Sequence, residues 1–208
     1  MDLAAALAVT PVIAIVRLAD SAGVDRALRA LIDGGIPALE VTLTTPGALK
    51  ALAEARAALD GSACLGAGSV RDAADAEQAI EAGARFLVTP TVAPHVVAVG
   101  TRAGVPVICG GLTPTELAAA HDAGAYAVKV FPAKAFGPGY LRDVLAPMPH
   151  LRLVPTGGID PSNVADYARA GAVAVGAGNA LVDPGLVTAG DWAELTRRAG
   201  AFAAAWPR

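Results

Sequence analysis

The sequence predicts an α/β fold, a (β/α)₈ TIM barrel with a short N-terminal helix, formed as a single domain over residues 1–208. Three observations predict it. Short apolar runs of strand length alternate with helix-compatible segments along the whole chain. The runs lack clean polar alternation, as expected of parallel strands covered on both faces. A glycine recurs between the end of a helical pattern and the next apolar run, where a left-handed C′ residue is needed: Gly34-Gly35, Gly83, Gly104, Gly124 and Gly171. Eight β/α units close a barrel, and 208 residues lie near the lower limit for that fold, so loops should be short. A doubly wound open sheet is the alternative, but no Gly-x-Gly-x-x-Gly fingerprint follows the first strand.

Taken in order, the strands are expected at 12–17, 38–43, 63–68, 86–90, 106–110, 127–131, 152–156 and 173–176. In the helix after the first strand, Val24, Leu28, Leu31 and Ile32 share a face, with Asp25, Arg26 and Arg29 largely elsewhere. Thr45-Pro46 opens the next helix, with proline near the first turn. Thr113-Pro114-Thr115-Glu116 and Asp160-Pro161-Ser162-Asn163 open two more by the same device.

Composition narrows the function classes. Hydrophobic residues are 54% and charged residues 17%, yet 23 glycines and 15 prolines break the apolar runs below the length that spans a bilayer. Met1 to Thr10 has no basic leader before an apolar core, which argues against a secretory signal and for a cytoplasmic protein. Net charge is −3, without a Lys/Arg cluster or aromatic stripe, so neither nucleic acid nor membrane is an expected partner. Cys64 and Cys109 show no metal spacing and read as small buried hydrophobes. The apolar content hints at a buried subunit interface.

In such a barrel, chemistry gathers at the C-terminal strand ends. Reading them gives Arg17; Glu40 with Thr42 and Thr44; Gly66 to Ser69; Thr89-Pro90; Cys109-Gly110-Gly111; Lys129 and Phe131; Thr156-Gly157-Gly158; and Gly176 to Asn179. Lys129 stands inside Ala127-Val128-Lys129-Val130-Phe131, one ammonium in a buried strand. A dry, unpaired ammonium is costly and is relieved by shedding its proton, and a neutral amine can form a Schiff base with a ketone. The plainer reading is a strand-end lysine whose head reaches water. Glu40 is as misplaced in Ala38-Leu39-Glu40-Val41; it reads either as a general acid/base raised by burial or as an ion-pair partner of Arg17 or Lys129. The glycine-rich ends of the seventh and eighth strands stand where barrels often bind phosphate through bare backbone N–H groups. His95, His121 and His150 lie off the strand ends, so no metal or cofactor is implied, and no Ser/His/Asp set suggests itself.

These residues carry a resemblance. The chain resembles the class I 2-keto-3-deoxy-6-phosphogluconate (KDPG) aldolases and their relatives acting on the galactonate analogue (KDPGal) and on 4-hydroxy-2-oxoglutarate. It is carried by 11–17, 39–43, 66–70, 88–90, Val128-Lys129-Val130-Phe131-Pro132-Ala133 and Pro155-Thr156-Gly157-Gly158-Ile159. The resemblance implies that Lys129 is the Schiff-base lysine and Glu40 the acid/base. Ser69 would lie near the bound keto acid, Pro90 and Phe131 would line the pocket, and Gly157, Gly158 and Gly178, beside Thr156 and Asn179, would hold the phosphate. It also implies a homotrimer that uses no metal, with a phosphorylated keto acid and pyruvate as its small-molecule partners. Thr44 stands where the gluconate enzymes often carry arginine, and Asn179 where many members carry serine. Arg17 is then expected to meet the substrate carboxylate. A phosphate-binding barrel isomerase or epimerase, with acid/base chemistry and no imine, is the competing reading.

Overall fold

The structure is a computed structural model and describes residues 1–59 and 61–207. Eight parallel strands pair in chain order: β1 (Val12–Val16), β2 (Ala38–Thr42), β3 (Cys64–Gly68), β4 (Leu87–Val88), β5 (Val107–Gly111), β6 (Ala127–Val130), β7 (Leu153–Pro155) and β8 (Val175–Ala177). β1 pairs with both β2 and β8, and a bridge between Thr156 and Gly176 joins β7 to β8 and closes the ring. The expected barrel is the observed one.

Helix α1 (Leu3–Val9) precedes β1. Around the ring follow α2 (Val24–Asp33), α3 (Ala48–Ala58), α4 (Ala73–Glu81), α5 (Pro94–Ala103), α6 (Pro114–Asp122), α7 (Gly137–Leu145) and α8 (Val164–Arg169). After β8 come α9 (Pro184–Ala189) and α10 (Trp192–Ala205). The recurring glycines do what the pattern requires: Gly35, Gly83, Gly104, Gly124 and Gly171 all have φ between 68° and 98°. Thr113 and Glu116 form the capping box of α6.

Some boundaries differ. Thr45-Pro46 does not open α3. That helix starts at Ala48 behind Gly47, because the Thr45 hydroxyl is taken as acceptor by the Leu18 N–H (3.1 Å). α8 starts at Val164; Asp160 instead folds a local turn, accepting from the Ser162 N–H (2.8 Å). β4 is only two residues long, since the Gly110 N–H goes to the Thr89 hydroxyl (2.9 Å) and not to a ladder carbonyl. β8 begins at Val175, two residues later than expected; Val173, at its entry, keeps one bond to Leu153 O and is 36% exposed.

Two cores follow from the period of two along each strand. Outward residues such as Val12, Leu39, Leu65, Val128 and Leu153 pack under the helices. Inward residues Ile13, Ala38, Cys64, Phe86, Ile108, Ala127, Val154 and Ala174 form a separate cluster inside the ring, joined by Leu3 and Ala6 of α1. α1 therefore stops the N-terminal end of the barrel. Two residues further along the strands, the same inward face carries Glu40, Gly66, Gly110, Lys129, Thr156 and Gly176. The polar layer lies directly on an apolar floor, facing the C-terminal mouth.

Candidate active site

Glu40 is 2% exposed and Lys129 5% exposed. Lys129 therefore does not reach into bulk water from a strand end. In register, Glu40 lies between Ile15 and Gly66, and Lys129 between Gly110 and Val154. Small neighbours make room for both. A Cβ on Gly68 would fall 1.8 Å from Glu40 Oε1, so the carboxyl occupies the space that the missing side chain leaves. A Cβ on Gly110 would lie 2.6 Å from the Pro90 carbonyl carbon, which draws β4 and β5 together beside Lys129.

The electrostatics of the pair are unequal. Burial pushes the Glu40 carboxyl above its ordinary range, and the charges of Lys129 and Arg17 pull it back only in part. No salt bridge within 4.0 Å joins Glu40 to Lys129 or Arg17 among the described residues, so their charges act on the carboxyl from a longer distance. Neither head group is sealed away, since no enclosed side-chain nitrogen or oxygen among the described residues lacks a hydrogen-bond partner. The Lys129 ammonium position lies 5.1 Å from the centroid of the Phe131 ring, and Phe131 is 38% exposed at the mouth.

Above this layer lies a cavity of about 460 Å³. Arg17, Phe131, Thr156, Gly157, Gly158, Gly178 and Asn179 all line it, with Ile159, Asp160 and Ala180. Gly157 and Gly158 have φ of 93° and 79°, a turn that L side chains resist. The turn is held from behind. Ala133 N–H donates to Thr156 O (2.8 Å), Lys134 N–H to Gly157 O (3.0 Å) and the Asn163 amide to Gly158 O (2.9 Å). Its carbonyls are thus engaged, while the N–H groups of Gly158 and Ile159 have no protein acceptor among the described residues. The same holds for Gly178, Asn179 and Ala180, whose turn is closed by Leu181 and Val182 N–H on Gly178 O (both 2.8 Å). Two sets of unpartnered amides facing one cavity make an anion cradle.

The remaining expected residues lie on other sides of the mouth. Ser69, with φ of 59°, is among the described residues the non-glycine in the left-handed region, right after Gly68. Pro90 follows β4 and is half-buried. Thr44 is exposed and donates to the Thr42 hydroxyl (3.1 Å). None of these three lines the anion cavity. The threonines do act on Arg17, which is exposed on its rim. Thr42 donates to Val16 O (3.4 Å) and Thr45 accepts from Leu18 N (3.1 Å), so both neighbours of Arg17 are pinned to the second loop. The pinning of Arg17 and the presence of Lys134 and Asp160 on the cavity wall were not anticipated. A count of every charge within a few residues of a strand end would have found the latter two.

A larger cavity of about 590 Å³ lies between the loop after β1 and α9. It is lined by none of the expected residues, whereas Glu40 and Lys129 line neither cavity and lie in the inward layer that gives Thr156 to the smaller one. His95 contacts Arg71 O (3.0 Å), and His121 and His150 meet edge to face at 4.9 Å between ring centroids, away from the mouth. Burial pushes the Cys64 thiol up to about 11, which leaves it unreactive in the barrel floor.

Fold and site together define a (β/α)₈-barrel enzyme with a buried amine and a buried carboxyl beneath an anion cradle. The comparisons with known proteins converge on one family. The family profile described as "KDPG and KHG aldolase" matches residues 3–198. A Treponema pallidum protein named 2-dehydro-3-deoxy-phosphogluconate aldolase is 39% identical over 90% of this chain and 88% of its own length. A Rhizobium meliloti protein named "Probable 2-dehydro-3-deoxy-6-phosphogalactonate aldolase" is 35% identical over 87% and 85%. The structure of KDPG aldolase from Legionella pneumophila, with pyruvate captured as a covalent carbinolamine intermediate, superposes with a TM-score of 0.87 at 29% identity, covering 96% of this chain and 97% of that one. The chain belongs to the KDPG and KHG aldolase family. It is a class I aldolase, a carbon–carbon lyase.

Proposed function

We propose that this aldolase cleaves a 2-keto-3-deoxy-6-phospho sugar acid, of the gluconate or galactonate series, to pyruvate and glyceraldehyde 3-phosphate. By the same chemistry it would cleave 4-hydroxy-2-oxoglutarate to pyruvate and glyoxylate. The observation that carries this reading is the placement of a buried lysine and a buried glutamate on one inward layer, under unpartnered amides. Lys129 attacks the C2 ketone, and loss of water gives an iminium. Glu40, directly or through a water, takes the C4 hydroxyl proton as the C3–C4 bond breaks. The electron pair of that bond enters the iminium to give an enamine, and the aldehyde leaves. Glu40 returns a proton to C3, and water releases pyruvate and the free amine. A carboxyl raised by burial suits both roles, because burial makes its carboxylate a stronger base than an exposed one.

In this reading Arg17 meets the substrate carboxylate with its guanidinium fork. Ser69, Pro90 and Phe131 bound the keto-acid end, with Thr44 on the rim. Thr156, Gly157, Gly158, Gly178 and Asn179 take the phosphate, fixing C3 and C4 through remote binding energy. The chain works as one domain over 1–208 and assembles as a homotrimer, in keeping with the resemblance drawn above.

Borohydride reduction with pyruvate tests the reading. The parent protein should gain the mass of one reduced pyruvate adduct, located on Lys129 by peptide mapping. Lys129→Arg should gain none and lose nearly all turnover, because arginine stays protonated. An unlabelled parent protein would favour the isomerase reading, which needs no imine.

A further inference from the structure

Lys134 lies outside the roles assigned so far. We propose that it is the cationic arm of the anion cradle and sets this enzyme's preference for phosphorylated over unphosphorylated substrates. The proposal rests on the aldolase reading above and adds a residue to it.

Four observations place Lys134 there. Its backbone N–H donates to Gly157 O (3.0 Å), so the residue is fixed to the diglycine turn. Its stem lies across that turn: a Cβ on Gly158 would sit 2.5 Å from Lys134 Cβ and 3.4 Å from its Cγ and Cδ. Lys134 lines the same cavity as Gly158, Gly178 and Asn179, whose amides are unpartnered among the described residues. Finally, no carboxylate forms a salt bridge with Lys134 among the described residues. Asp160, the acidic group on the same wall, is already engaged, its Oδ1 accepting from the Ser162 N–H (2.8 Å) and hydroxyl (2.5 Å).

Charge accounting explains why such an arm matters. A phosphate monoester carries about −1.5 to −2 charges at neutral pH. The backbone amides supply donors and geometry but only partial charge, and Asp160 adds a full negative charge to the wall. Arg17, the other cation on the cavity, is the group expected to meet the carboxylate at the far end of the substrate. Lys134 then remains to offset the phosphate. Its stem packing on Gly158 limits where the ammonium can go, which lowers the entropy lost when the pair forms.

The test compares cleavage of a phosphorylated 2-keto-3-deoxy sugar acid with that of its unphosphorylated counterpart in the parent, Lys134→Met and Lys134→Glu. Methionine keeps the stem over Gly158 and removes only the charge. The ratio of kcat/KM values, phosphorylated over unphosphorylated, should fall about two- to fivefold in Lys134→Met, as for an exposed ion pair. It should fall further in Lys134→Glu, with the loss mainly in KM of the phosphorylated substrate. Raising the ionic strength should lower the ratio in the parent more than in Lys134→Met. A ratio unchanged in both variants, in a parent that borohydride and pyruvate label on Lys129, overturns this proposal and leaves the aldolase reading standing. A parent that is not labelled overturns both.

Discussion

At the scale of single residues, Glu40 decides how the site responds to pH. Its carboxyl is raised by burial, with Lys129 and Arg17 opposing. Below the ordinary carboxylate range, folded and unfolded chains both hold the proton. As pH climbs, the unfolded chain releases it first, so stability falls until the folded group ionises too. Glu40→Gln removes this penalty. Urea denaturation across a pH series should find the variant gaining stability on the parent as pH rises. Turnover should fall by about 10²-fold or more while pyruvate trapping on Lys129 persists. Stability profiles that stay parallel across the pH range would contradict a raised carboxyl. Glu40 and Lys129 were legible in the sequence because each interrupts an apolar run, and a strand buried on both faces offers a charge nowhere solvated to go. The seat of the carboxyl was not legible. It is the absent side chain of Gly68, a residue on another strand, and only the register of β2 with β3 brings the two together.

At the scale of elements, β3 contributes two inward glycines whose substitution should have opposite consequences. A Cβ on Gly68 meets the Glu40 carboxyl, the far end of a side chain that can swing aside. A Cβ on Gly66 falls 2.5 Å from three atoms of the Phe86 ring, which is fully buried in the barrel floor. Gly66→Ala should therefore destabilise the fold by about 1–3 kcal/mol, as overpacking does. Gly68→Ala should fold nearly as well as the parent yet lose most turnover through a displaced Glu40. Thermal melts and steady-state kinetics on the two variants separate these outcomes; equal loss of stability would refute the assignment of Gly68 to the carboxyl. Element order was legible because the glycine after each helix and the apolar run that follows are local signals. The starts of α3 and α8 were less so. Each has a cap-type residue before proline, but tertiary bonds from Leu18 and a local turn at Asp160 claim the side chains first. The pinning of Arg17 by Thr42 and Thr45 was equally hidden, since it joins two loops more than twenty residues apart in sequence.

At the scale of the whole molecule, the barrel divides its labour between its ends. α1 closes the N-terminal end with Leu3, which is 1% exposed among Ile13, Cys64 and Phe86, while every group proposed for chemistry faces the other end. Apart from the weakly polar Cys64 thiol, the described floor residues are apolar, so its contribution is chiefly apolar burial. Leu3→Ala should cost about 2–4 kcal/mol, the range for a buried leucine that leaves a cavity. Leu3 belongs to the apolar inward cluster and not to the layer of Glu40 and Lys129, so kcat and the rate of pyruvate trapping should stay within about twofold of the parent wherever the variant is folded. Denaturant titration gives the first quantity, and kinetics well below the melting temperature give the second. If kcat falls along with stability, the floor fixes the height of the inward layer, and Ile13 and Ala127, which bear on β1 and β6, transmit the change to Arg17 and Lys129. If it does not, the apolar floor and the polar mouth are energetically separate, although they are successive layers on the inward face of the same strands.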